Sequence, residues 1–119
     1  MGRGNSKMSL NLVPLRIPSG WKVNLNDFTE SFPERFTDDN YEHRWEFKED
    51  ILQLESDHKK RVLDLGWYPE FDTNGQYTLM LVDVSEENGE GSFYWNKLIE
   101  YKSRNIEEIR IKIEEFLRT

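Results

Sequence analysis

Few side chains in this 119-residue sequence could perform acid–base or metal chemistry. There are two histidines, His43 beside Glu42 and His58 in a polar Asp-His-Lys-Lys stretch. They lack the ligand spacing typical of a metal site. Carboxylates are adjacent at 38–39, 49–50 and 86–87, but hydrolysis needs two carboxylates in different environments within one cleft. We therefore expect no catalytic residue, no metal and no cofactor.

Sequence motifs for catalytic nucleophiles and for nucleotide binding are also absent. Cysteine is absent, which excludes thiol catalysis, disulfides and thiolate metal sites. The sequence has no Gly-x-Ser-x-Gly elbow, no P-loop and no Gly-x-Gly-x-x-Gly run. We predict that the protein is not an enzyme. A small hydrolase or ligand binder, using a pocket between sheet and helix around His43, is the alternative.

Aromatic residues next to acids are the most distinctive feature. The sequence has four Trp, five Tyr and seven Phe. Aromatic anchors ringed by carboxylates suit a protein-binding surface that faces a basic partner. We assign Trp21, Trp67 and Phe93 to the core of the sheet. Trp45, Phe71 and Tyr94 fit the core and a binding surface equally well.

The charge is unevenly distributed along the chain. The net charge is −7, from 16 basic and 23 acidic residues. Residues 1–22 carry four bases and no acids, whereas residues 23–90 carry six bases and eighteen acids. An acidic body repels phosphate, so nucleic acid is not the expected partner. It attracts a basic protein surface and accelerates that encounter.

Hydrophobic patterning predicts strands in the C-terminal half, at 50–56, 61–68, 77–85 and 92–102. In the third, Leu79 and Leu81 line one face while Met80 and Val82 line the other, which indicates a central strand covered on both sides. Asn74-Gly75 predicts the turn that precedes it. In the last strand, Phe93, Trp95, Ile99 and Tyr101 should share a face.

The last segment is predicted to be a helix over residues 105–118. Asn105 is a suitable N-cap, and Glu108 follows at the spacing of a capping box. An apolar stripe at helical spacing should pack on the sheet; it comprises Ile106, Ile109, Ile113, Phe116 and Leu117. Arg110 and Glu114 should face solvent.

The N-terminal half is patterned less regularly. Residues 10–17 and 21–28 are predicted strands, and 31–40 is a loop or short irregular helix. Residues 41–48 alternate as in a strand but also fit a helix, and we favour the strand. Strands followed by a helix indicate an α+β fold, a mainly antiparallel sheet with a C-terminal helix on one face.

The chain is expected to form one domain over residues 10–119, preceded by a flexible tail at 1–9, of which residues 1–8 should be dispensable. Its longest apolar run, residues 79–82, is far shorter than the ~20 residues of a membrane span. No secretory signal is visible. We therefore expect a cytoplasmic protein with no membrane partner.

One block of sequence resembles a group of small bacterial proteins. It reads Gly66-Trp67-Tyr68-Pro69-Glu70, then a turn at Gly75, an apolar strand and a closing helix. Gly20-Trp21 resembles the N-terminal strand of the same group. Some of its members resemble immunity proteins, which implies binding to a bacterial toxin. The resemblance implies a fold more firmly than a function.

Together these features predict a protein-binding domain. It would neutralise a toxin by covering the toxin's basic surface with its acidic aromatic face. The candidate binding residues are Asp38, Asp39, Glu42, Trp45, Glu46, Glu70, Phe71, Asp72 and Tyr94. The alternative is a structural or regulatory domain that pairs with itself, as a homodimer, through an edge strand.

Overall fold

The computed structural model describes residues 10–119, which form one antiparallel sheet and one α-helix. The five strands follow one another across the sheet in chain order. The elements are β1 (Lys22–Asn26), β2 (Leu52–Ser56), β3 (Arg61–Tyr68), β4 (Gln76–Asp83), β5 (Asn96–Ser103) and α1 (Ile106–Leu117). The predicted α+β class and the helix on one face are confirmed.

Three predicted strands differ from the structure. Residues 10–17 do not form a strand and contribute only an isolated bridge, Leu12 to Thr29. Residues 41–48 do not form a strand; they include a 3-10 turn at Arg44–Glu46. The last strand begins at Asn96 and not at residue 92. The predictions for residues 1–9 lie outside the described residues.

The core lies between one face of the sheet and α1. Leu63, Leu65, Leu79 and Leu81 are fully buried there, and the predicted stripe of α1 packs against them through residues such as Ile109. Burying a side chain of this size stabilises the fold by about 1.5–3 kcal/mol. No helix in the described range covers the opposite face, yet β4 is buried there too: Thr78 and Val82 are buried and Met80 is half-buried.

Aromatic stacking, and not regular structure, holds the segment between β1 and β2. Phe36 and Phe47 stack in parallel with ring centroids 4.5 Å apart. Phe47 also lies 4.5 Å from Trp67, and Trp67 meets Tyr77 edge-on at 5.1 Å. All four rings, and Phe28, are buried. These contacts join residues that are far apart in the sequence, so no local hydrophobic periodicity predicts them.

The helix begins as predicted, with one change in its cap. The Asn105 side chain accepts a hydrogen bond from the Glu108 N–H at 2.9 Å, as an N-cap should. The Glu108 carboxylate does not return to the Asn105 N–H; it accepts from Ser103 and Tyr101. Nor is Glu114 free in solvent, because it accepts from the Arg16 N–H and from Arg110. No helix within residues 10–119 has the length and apolarity to cross a membrane.

Candidate functional site

Two of the predicted binding residues, Trp45 and Phe71, meet on the surface. Their rings are nearly perpendicular, with centroids 5.1 Å apart. Trp45 is 57% exposed and Phe71 37% exposed. The Arg44 guanidinium lies 4.6 Å from the centre of the Trp45 ring. We call this pair and the carboxylates of residues 38–50 and 69–72 the Trp45–Phe71 face.

The buried aromatic core positions this pair. Phe47 is held between Phe36 and Trp67, and its carbonyl accepts a 2.7 Å hydrogen bond from the Phe71 N–H. The backbone N–H of Trp67 donates to the Lys48 carbonyl at 2.8 Å. Two surface loops are thereby fastened to one buried ring system.

Phe71 has a positive φ of 59°, which bulky residues rarely adopt. Such a residue costs about 1–3 kcal/mol and persists only where its surroundings enforce it. The bond to the Phe47 carbonyl is part of that enforcement. The result is a phenyl ring kept partly exposed beside Trp45.

The structure distributes the predicted carboxylates over different tasks. Glu46 accepts from the Thr29 hydroxyl, and Glu70 accepts from the Glu49 N–H. Asp38 and Asp72 accept from backbone N–H groups two residues later. Asp39 and Glu42 are exposed on the loop beside Trp45. Within residues 38–50 and 69–72, eight carboxylates face only two bases, Arg44 and Lys48.

Acids of the Trp45–Phe71 face also surround Tyr68, together with Asp64; neither Tyr68 nor Asp64 was among the predicted site residues. Burial raises the pKa of the Tyr68 phenol, and the charges of Asp64, Glu49, Asp50 and Glu70 raise it further. Burial also raises the pKa of Asp64, opposed by a hydrogen bond with Gln53. The alternation in β3 could have revealed this group, since Asp64 and Tyr68 lie on the same face of the strand.

Tyr94 lies at the other end of the sheet. Phe71 is in the connection before β4, whereas Tyr94 is in the connection after it. The eight residues of β4 separate the two ends by roughly 23 Å at the ~3.3 Å rise of a strand. Tyr94 therefore does not join the Trp45–Phe71 face. Phe93, assigned to the core from sequence, is exposed beside it.

Arg104 ties together the loops that carry the face, a role the sequence did not reveal. Its guanidinium donates to the carbonyls of Thr73 and Gly75, both at 2.7 Å. It also donates to the Pro33 and Phe36 carbonyls, at 3.0 and 3.3 Å. Its carbon lies 5.0 Å from the centre of the Trp67 ring.

His43, the centre of the alternative pocket, lies in the segment between β1 and β2, directly before the 3-10 turn at Arg44–Glu46. His43 packs edge-on against Tyr41, with ring centroids 5.5 Å apart. A cleft of about 480 Å³ instead lies between residues 13–16, Glu30 and α1, and His43 does not line it. Its Arg110 is paired with Glu107 and Glu114. Among residues 10–119, no three His, Asp or Glu side chains are grouped so that they could hold a metal ion.

One spacing with catalytic precedent escaped the sequence analysis. Ser56 and Lys59 are separated as in Ser-x-x-Lys. The Ser56 hydroxyl accepts from the Lys59 backbone N–H at 3.2 Å. The Lys59 ammonium points elsewhere and donates to the Leu117 and Thr119 carbonyls. In this arrangement the lysine closes the end of α1 and does not activate the serine.

Comparisons of the chain with protein-family models, with curated proteins and with solved structures returned no match.

Proposed function

We propose that this chain is a non-catalytic protein-binding domain that covers a basic surface of its partner, as an immunity protein covers a toxin. The observation that carries the proposal is the exposed Trp45–Phe71 pair within a field of carboxylates. Aromatic residues at the centre of an interface commonly provide most of its affinity. The carboxylates select a basic partner over an acidic one.

The strain at Phe71 supports a functional role for the pair. A smaller or more flexible residue would occupy φ 59° at lower cost, yet a phenylalanine stands there. Strained residues that the surrounding structure enforces cluster at binding and catalytic sites. The ring also enters the partner's surface preorganised, which lowers the entropy lost on binding.

In the proposed mechanism, the charge of the face acts on association and the aromatic pair acts on dissociation. The eight carboxylates and two bases of residues 38–50 and 69–72 supply a net −6 of the chain's −7. This field steers a basic partner and raises the association rate, an effect that salt screens over about 8 Å at physiological ionic strength. Once the partner covers the aromatic pair, the pair slows dissociation, because removing an anchor of this kind costs about 2 kcal/mol or more.

The alternative of a homodimer through an edge strand has less support. Both edges of the sheet are interrupted, β1 between Val23 and Leu25 and β5 opposite Leu81–Val82. Each edge also carries lysine, such as Lys22 and Lys97. Irregular pairing and lysines are the features by which sheets avoid edge-to-edge association.

The test begins with capture of a partner from the source organism and its purification. With this chain immobilised at low density and the partner in solution, binding kinetics are measured over a range of salt concentrations. Neutralising Asp39, Glu42 and Glu49 together should slow association and flatten its salt dependence. The matched control neutralises Glu86, Glu87 and Glu90, which removes the same charge at the other end of the sheet.

The aromatic pair is tested with a second matched set. Trp45→Ala should speed dissociation by about 30-fold or more, the equivalent of about 2 kcal/mol. Trp95→Ala, which removes an equally exposed indole at the other end, should leave the rate unchanged. The Trp45–Phe71 face is not the binding surface if Trp45→Ala and Trp95→Ala dissociate from the partner at the same rate. The same conclusion follows if the two charge-neutralised variants associate with it at the same rate.

A further inference from the structure

The structure places a second group of exposed aromatic residues at the end of the sheet opposite the Trp45–Phe71 face. Every residue from 89 to 98 is exposed. This stretch includes Phe93, Tyr94, Trp95 and Leu98, each with 46–51% of its surface accessible. We call residues 85–95, between β4 and β5, the aromatic hairpin.

The aromatic hairpin is an ordered support for these rings. The Tyr94 N–H donates to the Glu86 carbonyl at 2.9 Å, and the Asn88 N–H donates to the Ser92 carbonyl at 3.0 Å. The Asn96 side chain donates to the Glu86 carboxylate at 3.1 Å. These bonds fix the backbone that carries the three rings, so less backbone entropy remains to be lost on docking.

The exposed apolar area suits a modest protein interface. An aromatic side chain buries about 150–250 Å² when fully enclosed, so three half-exposed rings offer roughly 300 Å². Leu98, also exposed, follows three residues after Trp95 near the start of β5. A standard interface buries about 800 Å² per partner, somewhat more than half of it apolar. The three rings therefore supply at most about two thirds of the apolar area that one side of such an interface requires.

The local charge permits two copies to meet there. The turn at 57–60 lies beside the hairpin, since the Val84 N–H donates to the Lys60 carbonyl. Residues 57–60 and 85–97 together carry four acids and three bases. A two-fold interface brings each patch against itself, so like charges must not accumulate there. The net charge of this patch is only −1, whereas the Trp45–Phe71 face, with its net −6, would repel a second copy. The roughly 23 Å between the two ends exceeds the ~8 Å screening length at physiological salt.

We propose that the aromatic hairpin is the contact surface of a two-fold homodimer, formed through Phe93, Tyr94, Trp95 and Leu98 and not through pairing of edge strands. The side chains, and not the irregular edge of β5, make this contact. The dimer leaves both Trp45–Phe71 faces outward and accessible. Its existence does not depend on the function proposed above, because no partner takes part in it.

Sedimentation equilibrium of the full chain tests the dimer without any partner. The mass should rise from the monomer's 14.3 kDa towards twice that value between about 10 and about 500 µM, the range expected of a small interface. Trp95→Lys should raise the dissociation constant at least about tenfold, since it places a charge at the centre of the contact. Trp45→Lys, the matched change at the other end, should leave it unaltered.

Four results would overturn the proposal. These are a monomer throughout the range, a dimer equally strong in Trp95→Lys, equal weakening by Trp45→Lys, and binding of the hairpin to zwitterionic lipid vesicles with no self-association. Far-ultraviolet circular dichroism and thermal unfolding verify that the variants fold. As a second variant, Phe93→Ser should weaken the dimer in the same direction.

Discussion

Replacing Arg104 should destabilise the protein far more than replacing Arg110, which forms ion pairs on the surface of α1. Arg104→Met keeps the aliphatic stem and removes four hydrogen bonds to the carbonyls of Pro33, Phe36, Thr73 and Gly75. Hydrogen bonds to charged groups contribute about 1.5–3 kcal/mol each. Because four bonds share two nitrogens and solvent re-hydrates some of the carbonyls, we expect a net loss of about 3–4 kcal/mol.

That loss is a large part of the 5–15 kcal/mol by which a domain is usually stable. At about 4 °C per kcal/mol for a chain of this size, the unfolding midpoint should fall by about 12–16 °C. Arg104→Lys should lie between wild type and Arg104→Met, because an ammonium keeps the charge but cannot span both loops or stack on Trp67. Calorimetry or fluorescence-detected thermal unfolding measures the shift.

Arg110→Met is the matched control. Arg110 pairs with Glu107 and Glu114 on the helix surface, and such pairs contribute about 1 kcal/mol or less. If Arg110→Met costs as much as Arg104→Met, the carbonyl network of Arg104 is not what fastens the two loops. Loss of stability at Arg104 should also weaken partner binding, since both loops border the Trp45–Phe71 face.

Three further substitutions test the packing of the fold and one half-buried acid, Asp64. Ile109→Asp should lower the free energy of unfolding by about 4 kcal/mol or more, because it buries a charge. Ile111→Asp, on the exposed side of α1, should leave it nearly unchanged. Equal unfolding midpoints for the two variants would show that α1 is peripheral. Gly66→Ala should cost at least about 2 kcal/mol by denaturant unfolding, because the new Cβ would lie 2.1 Å from the Glu49 carbonyl oxygen; wild-type stability would show that this close approach does not exist. Asp64→Asn should raise the melting temperature at pH 7, and the gain should shrink as the pH is lowered through the titration of the carboxyl. The sign follows from the raised pKa of Asp64 in the folded state, which makes ionisation destabilising as the pH increases; a gain that is independent of pH would refute it.

The candidate site shows where sequence reasoning stops. The residue types of Trp45 and Phe71, and their acidic neighbours, were sufficient to nominate both as surface anchors. Sequence alone could not bring them together, because their contact depends on Phe47 stacking between Phe36 and Trp67. The same limitation placed Tyr94 on a face that it does not share.

The sequence by itself determined the local features of this protein, because each follows from neighbouring residues. The period of β2 to β4, the turn at Asn74-Gly75, the Asn105 cap and the apolar stripe of α1 all have signals within a few residues. Tertiary structure decided the features that need distant partners. It placed a 3-10 turn at Arg44–Glu46 within the alternating residues 41–48, since burying Phe47 in the aromatic core outweighed their strand pattern. It also set Arg104 between two loops and divided the exposed aromatics between opposite ends of the sheet, since an antiparallel meander separates successive connections by the length of a strand.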